Sequence, residues 1–113
     1  MIVLGVGVEP GTPAEYLVEA VGGLAYDVVA TIDRRLGEPA IEAVAGGRKL
    51  LTYTTAELDA VDVPNPSAVV RRLTGTGSVA EAAAILAARE LGGAGELVVE
   101  KQRGRMVTVA LAR

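Results

Sequence analysis

Three short apolar runs, each followed by turn residues and a helix start, constrain the fold of this chain more than any other feature. They span residues 2–6, 27–32 and 49–53. A continuous apolar run of this length is typical of a strand that is buried on both faces of a parallel sheet. Strands that alternate with helices are joined by right-handed crossovers, which place the helices on the faces of the sheet. The pattern therefore predicts an α/β fold that begins β-α-β-α-β-α.

Each predicted helix begins at residues that favour a helix N-terminus. Two starts have the spacing of a capping box, in which a hydroxyl residue and a glutamate three positions later each bind a backbone N–H of the other. Proline suits the first helical position, because its missing N–H would have no partner there. Thr12, Pro13 and Glu15 mark the start of a helix that should end near residue 21. Pro39 marks the start of a helix that should end near residue 45, and Thr54 and Glu57 mark the start of a short helix.

The stretch over residues 63–86 holds two further helix starts in quick succession. Asn65 can cap a helix whose first residue is Pro66, and Ser78 with Glu81 has the capping-box spacing again. The helix after Ser78 is rich in alanine, so we expect it to lie unusually close to the sheet. Packing alone explains this stretch, and ligand contact by Ser78 is the alternative.

Beyond residue 95 the pattern changes to a β-hairpin. Residues 96–101 and 106–111 are typical of strands and are joined by a glycine-containing turn. We therefore predict a three-layer α/β/α fold with a mixed, mostly parallel sheet of about five strands that ends in a C-terminal β-hairpin. No repeat or linker divides the chain, so residues 1–113 are predicted to form a single domain.

Composition excludes several classes of function. The chain has no cysteine and no histidine, which removes disulfides, thiolate nucleophiles, imidazole bases and the usual zinc ligands. We therefore expect no protein-ligated metal and no cofactor. A net charge of −3 and an aromatic content of 3% argue against a nucleic-acid partner. No apolar run approaches the length of a membrane span and the first residues lack a basic signal-peptide region, so we expect a cytoplasmic protein without a membrane partner.

Ligands of an open α/β sheet bind beyond the carboxyl ends of its parallel strands, where residues 5–12, 31–38 and 52–57 converge. Backbone N–H groups at glycines and helix N-termini favour a carboxylate or phosphate. The alternative is that these glycines only form a tight turn. Asp33 and Glu38 are candidate acid, base or hydrogen-bonding groups. The candidate binding residues are Gly5, Gly7, Gly11, Thr12, Thr31, Arg34, Arg35, Thr54 and Lys101, with Ser67 and Ser78, which are most simply helix caps.

Six segments combine into one ordered pattern. They are Gly5-x-Gly7-x-x-x-Gly11, Ala30-Thr31-Ile32-Asp33 with Glu38, Tyr53-Thr54-Thr55-Ala56-Glu57-Leu58, Val63-Pro64-Asn65-Pro66-Ser67, Gly77-Ser78-Val79-Ala80-Glu81-Ala82-Ala83-Ala84, and the end from Lys101 to Val107-Thr108-Val109-Ala110. In this order and spacing they resemble the CobE/CbiG C-terminal domain family of cobalamin (vitamin B12) biosynthesis. The family often has lysine where Arg35 stands, and commonly cysteine and a basic residue where Val8 and Glu9 stand.

In that family the domain occurs alone or as the C-terminal part of the cobalt-precorrin-5A hydrolase, which opens a lactone on a corrin precursor and releases acetaldehyde. The resemblance implies a precorrin or cobalt-precorrin as the small-molecule partner, with other corrin-pathway enzymes as further candidate partners. This chain resembles the free-standing form.

Three interpretations of function follow. The first is a protein that binds or delivers a corrin precursor. The second is a hydrolase in which Asp33 or Glu38 is the general base and Arg35 or Lys101 holds the oxyanion. The third is a dinucleotide-binding oxidoreductase, which Pro10 at the third glycine position of the fingerprint disfavours.

Overall fold

Strands and helices alternate along the residues that the computed structural model describes, which are 1–65 and 78–113. The predicted helix that begins at Pro66 lies outside these residues. The strands are β1 (Val3–Val8), β2 (Val28–Ile32), β3 (Lys49–Tyr53), β4 (Leu97–Arg103) and β5 (Val107–Ala112). The helices are α1 (Ala14–Val21), α2 (Pro39–Ala45), α3 (Thr55–Asp59) and α4 (Val79–Glu90), with a 3-10 helix over Asp33–Arg35.

The strands form one mixed sheet in the order β3-β2-β1-β5-β4. β1, β2 and β3 are parallel, and β5 is antiparallel to both β1 and β4. Every strand except β5 therefore runs in one direction, which confirms the mixed, mostly parallel sheet with a C-terminal hairpin. Val8 pairs with Val107, and Thr108 pairs with Arg103. The carboxyl ends of β1 to β4 thus lie together with the start of β5, and we call this end of the sheet the C-terminal edge.

Helices cover both faces of the sheet. Leu4 of β1 packs on one face with Leu17 of α1 and Ile41 of α2. Val3, the neighbouring residue, packs on the other face in a core that includes Leu58 of α3 and the buried alanines of α4. The predicted three-layer arrangement is therefore confirmed. Among the described helices, even α4 with its 12 residues lacks the length and apolarity needed to span a lipid bilayer.

Gly5 explains how α4 lies so close to the sheet. A Cβ atom on this glycine would lie 1.9 Å from the carbonyl oxygen of Ala80 and 2.8 Å from the Cβ atom of Ala84. Only glycine allows the helix backbone to approach the strand this closely. The predicted close packing of the alanine-rich helix is confirmed.

The structure corrects the predicted loop after β1. The sequence interpretation ended this strand at Val6 and placed Gly5 and Gly7 in the loop, whereas both glycines lie inside β1. Both are required by packing rather than by a turn, since a Cβ atom on Gly7 would lie 2.7 Å from Oγ1 of Thr108. Glycine is needed for a turn further on, at Gly11, where φ is +76°.

Two helix starts agree with their predictions. α2 begins at Pro39 and ends before Gly46, which adopts the left-handed conformation. The capping box before α3 is present, because Glu57 N–H donates to Oγ1 of Thr54 at 3.1 Å and Thr54 N–H donates to the Glu57 carboxylate at 2.9 Å.

Two other predicted capping boxes are not formed, so these predictions are wrong. The Thr12 hydroxyl donates to the carbonyl oxygen of Glu9 at 2.6 Å, so it closes a turn in the loop instead of accepting from an N–H of α1. Ser78 is the N-cap residue of α4, but its hydroxyl makes no capping hydrogen bond. The partner expected for Ser78, Glu81, binds other groups that are described below.

Candidate functional site

Three loops meet at the C-terminal edge, after β1, β2 and β3. The loop after β2 contacts both of its neighbours through arginine side chains. Arg35 Nε donates to the carbonyl oxygen of Val8 at 2.9 Å, and Arg34 Nη2 donates to Oγ1 of Thr55 at 2.8 Å. Two of the predicted binding residues are therefore neighbours that link the loop after β2 to the end of β1 and to the start of α3.

Glu38 holds the loop after β1. One of its carboxylate oxygens accepts a hydrogen bond from the backbone N–H of Gly11 at 3.0 Å. The Gly11 N–H is consequently not a bare donor for an anion, which corrects the sequence interpretation of this glycine. The next residue, Thr12, is buried and donates its N–H to the carbonyl oxygen of Glu9 at 3.2 Å. Both predicted binding residues thus use their N–H groups to shape the loop.

Arg35 is a half-buried cation at this edge, and Asp33 and Arg34 are exposed beside it. Its Nε is bound to Val8, and its Nη groups make no hydrogen bond to another described residue. The guanidinium group is thus oriented by one hydrogen bond, and within the described part of the chain its outer donors are available. The neighbouring Leu36 is 64% exposed. A fixed guanidinium group beside an exposed apolar side chain can bind a carboxylate that is attached to an apolar molecule.

Several predicted binding residues are used inside the fold. Gly5 is covered by α4. Thr31 is fully buried, and its hydroxyl donates to the carbonyl oxygen of Val6 at 2.8 Å. Thr54 uses its hydroxyl in the capping box. Gly5 and Thr31 are not accessible to a ligand in this structure, and Ser67 lies outside the described residues.

The positions of Gly5 and Gly7 also decide against one interpretation of function. A dinucleotide fingerprint needs its first glycines in a loop that approaches a pyrophosphate. Both glycines lie within β1 instead, so that loop is not formed by these residues. The structure therefore does not form the glycine fingerprint on which the dinucleotide-binding interpretation depended.

A second polar cluster lies at the start of α4, and the sequence interpretation missed it. Glu81 is fully buried. Its carboxylate accepts hydrogen bonds from the backbone N–H of Asn65 at 3.2 Å, from Asn65 Nδ2 at 2.8 Å and from the backbone N–H of Lys101 at 2.9 Å. These donors replace the water that a buried carboxylate loses. The one signal in the sequence, a glutamate three residues after Ser78, fits a capping box equally well.

Lys101 completes this cluster. Its Nζ donates to the carbonyl oxygen of Asn65 at 2.5 Å, and Asn65 Nδ2 also donates to Glu100 at 2.8 Å. Burial lowers the pKa of Lys101 and the nearby Arg103 lowers it further, whereas Glu81 opposes both effects. We call Asn65, Glu81, Glu100 and Lys101 the Glu81 cluster. It places Lys101 at the C-terminal edge, as the sequence interpretation required for a role in binding.

Comparison with known proteins gives relatives over the full fold. A family model described as "Cobalamin synthesis G C-terminus" matches residues 2–112. The chain is 36% identical to Protein CobE from Sinorhizobium sp. over 98% of this chain and 79% of that protein.

Two solved structures are similar to this chain. The crystal structure of CobE, described as a protein from the cobalamin (vitamin B12) biosynthetic pathway, has a TM-score of 0.84 and 34% identity, and the match covers 100% of this chain and 93% of that one. The cobalamin biosynthesis protein chiG from Agrobacterium tumefaciens str. C58 has a TM-score of 0.64 and 26% identity, with coverage of 99% and 97%. Since the family model spans nearly every residue and the CobE structure shares the fold, the chain belongs to the cobalamin synthesis G C-terminus family.

Proposed function

We propose that this chain binds a corrin precursor at its C-terminal edge and acts in cobalamin biosynthesis as a binding or delivery protein. Membership in the family supports the ligand class. The observation that carries the proposal is the geometry of Arg35, whose Nε is fixed on Val8 while its outer donors are free of other described residues. A guanidinium group that is already oriented loses little side-chain entropy when it binds a carboxylate.

The chemistry of the ligand fits this arrangement. A corrin precursor carries acetate and propionate groups around a broad ring with largely apolar faces. Arg34 and Arg35 offer donors for the carboxylates, and the exposed Leu36 offers apolar surface next to them. Met106, which is 37% exposed, provides a second apolar side chain at the same edge. Its carbonyl oxygen accepts from Glu9 N–H at 3.1 Å, so it adjoins the loop after β1.

The charge of the protein limits where such a ligand can bind. With a net charge of −3, the chain as a whole repels a polycarboxylate. Binding therefore depends on local positive charge, which Arg34 and Arg35 supply. We expect the affinity to fall as salt rises, because exposed charges are screened over about 10 Å at 0.1 M ionic strength.

The test is an absorbance titration of the purified protein with hydrogenobyrinic acid, at low and at high salt. Arg35→Ala should weaken binding about 10-fold or more, as expected for the loss of a hydrogen bond to a charged group. Arg48→Ala is the matched control. Arg48 lies at the opposite end of the sheet, where it contacts Tyr26, with its guanidinium carbon 4.4 Å from the ring centroid. Salt-independent binding that is equal in wild type, Arg35→Ala and Arg48→Ala would contradict the proposed site.

A second candidate function is hydrolysis of the precursor lactone. The observation that favours it is Asp33, an exposed carboxylate that accepts no side-chain hydrogen bond from another described residue and adjoins two arginines. A general base must be able to reach the attacking water, and Asp33 meets that condition better than Glu38, which binds Gly11. Acetaldehyde release from the matching precursor by wild type, and its loss in Asp33→Asn, would establish hydrolysis. A pure binding protein would release none.

A further inference from the structure

The first turn of α4 is buried, yet no described residue caps it. Residues 78–81 are all buried, and α4 has 12 residues. The N–H groups of Val79, Ala80 and Glu81 have no partner within the helix, as in any α-helix. They donate to no acceptor within residues 1–65 and 78–113. The N-terminus of a helix of this length attracts negative charge through its free N–H groups and through the helix dipole.

Ser78 supplies a second, independent observation. As the N-cap residue, it directly precedes the first turn, but its hydroxyl accepts from none of the N–H groups of that turn. Ser78 is 2% exposed, and its Oγ has no hydrogen-bond partner in the described chain. A buried hydroxyl without a partner is destabilising, so a ligand that offers an acceptor to the Ser78 hydroxyl would remove this cost.

Glu81 does not serve as that partner. In a capping box its carboxylate would turn back towards the backbone of Ser78. Here it accepts from Asn65 and from the backbone N–H of Lys101 instead. The carboxylate is therefore committed to the Glu81 cluster, and within residues 1–65 and 78–113 neither the Ser78 hydroxyl nor the first-turn N–H groups have a partner.

The first turn of α4 lies at the C-terminal edge of the sheet. A Cβ atom on Gly7 would lie 3.5 Å from the Cβ atom of Val79 and 3.8 Å from the N atom of Ala80. Gly7 directly precedes Val8, whose carbonyl oxygen holds Arg35. The start of α4 and the guanidinium group of Arg35 thus adjoin the same end of β1.

We infer that the start of α4 is an anion subsite, in which the Ser78 hydroxyl and the first-turn N–H groups bind one carboxylate of the ligand. The identity of that ligand rests on the proposed function. The anion affinity of the subsite does not, because it follows from donors that any small carboxylate could use. Since Ser78 is buried, we expect binding to move the side chains that cover it.

The first experiment uses sodium acetate as the probe and amide NMR of the full chain as the readout, with sodium chloride at equal ionic strength as the control. Acetate should shift the amide resonances of Val79, Ala80 and Glu81 in wild type, and the shifts should be lost in Ser78→Ala. Absence of these shifts in wild type, or equal shifts in both proteins, overturns the inference. If Ser78→Ala does not fold, the wild-type response alone decides.

The second experiment repeats the hydrogenobyrinic acid titration with Ser78→Ala, whose affinity should fall about 10-fold. One outcome separates the two proposals in favour of the proposed function. If wild type and Ser78→Ala bind the corrinoid equally, and acetate does not shift the three amides of wild type, the subsite is refuted and the proposed function stands. If wild type does not bind the corrinoid but acetate shifts the three amides, the proposed function is refuted and the anion subsite stands.

Discussion

The starts of α3 and α4 both carry a hydroxyl residue with a glutamate three positions later, but the two helices use this pair differently. At α3, Thr54 and Glu57 pair with each other's backbone N–H groups, and the turn lies at the surface. At α4, the Ser78 hydroxyl has no hydrogen-bond partner among the described residues, and Glu81 binds two other segments of the chain. The first start stabilises its own helix, whereas the second connects α4 to β4 and to the Asn65 segment.

Burial and a strand irregularity account for the difference. The pairing of β4 with β5 shifts its register between Val99 and Gln102, which is typical of a β-bulge. A bulge takes N–H groups out of the sheet ladder, and the N–H of Lys101 is bound by Glu81. A carboxylate at an exposed helix start competes with water for a local N–H. A carboxylate that is fully buried must satisfy whatever donors surround it.

The largest expected effect comes from removing Glu81. Glu81→Ala should lower the free energy of unfolding by about 3 kcal/mol, because it leaves buried donors of Asn65 and Lys101 without an acceptor. Glu57→Ala should cost about 1 kcal/mol or less, since water can replace an exposed cap. Urea unfolding of both variants measures the difference.

Glu81→Gln is the control for this prediction. It keeps the size of the side chain and one acceptor oxygen, so its loss should lie between those of the two alanine variants. Equal losses for Glu81→Ala and Glu57→Ala would mean that the two helix starts are energetically alike, contrary to the comparison.

The next effect concerns the close approach that places the α4 start at the edge. Gly5→Ala should destabilise the protein by about 2 kcal/mol, because the new methyl group meets the backbone carbonyl of Ala80, which cannot move without shifting the helix. Gly23→Ala is the matched control, since a Cβ atom there meets nothing within 4 Å. Equal thermal unfolding of the two variants would show that α4 can move away from β1 at little cost.

A smaller effect separates the two hydroxyl residues. Thr54→Ala should cost about 1 kcal/mol because it removes a formed cap. Ser78→Ala should leave the free energy of unfolding unchanged or raise it slightly, because the buried hydroxyl that it removes makes no hydrogen bond in the described chain. Chemical denaturation of the pair gives the answer. An equal loss of unfolding free energy in the two variants would show that Ser78 caps α4 as Thr54 caps α3.

The smallest effect is the titration of Lys101 within the Glu81 cluster. Its pKa is lowered, mainly by burial, so the ammonium group should lose its proton below the ordinary lysine value of 10.5. Between the two values the unfolded chain holds more protons, so this group makes stability increase as pH rises through that window. NMR titration of the lysine side chain measures the pKa, and Lys49→Arg leaves Lys101 as the one lysine of the chain. A pKa of Lys101 at or above 10.5 would contradict the prediction.

Much of the fold follows from local patterns. The apolar runs predicted β1, β2 and β3 to within about two residues at each end, because strands buried on both faces need continuous apolar sequence. The end of β1 was misplaced for a physical reason. A glycine that admits a neighbouring helix and a glycine that makes a turn look the same in sequence, and Gly5 and Gly7 are of the first kind.

The candidate site followed less closely from the sequence. That the loops with Arg34, Arg35 and Glu38 lie together was predictable, because parallel strands end at one edge. The use of each polar group was not, since it depends on partners distant in the chain, as with Glu38 and Gly11 or Glu81 and Lys101. At Thr12 even a local competitor, the carbonyl of Glu9, was enough to remove a predicted cap.

The pairing of β1 with β5 has a consequence for how the chain can be joined to others. Val3 lies opposite Ala112 in this pair, so the two ends of the chain leave the sheet side by side. They do so at the end opposite Arg35 and the start of α4. A fusion partner attached at either terminus would therefore lie away from the C-terminal edge. A short link between Met1 and Arg113, with new termini at the exposed glycines 22 and 23, would give a circular permutant that keeps every hydrogen bond at that edge.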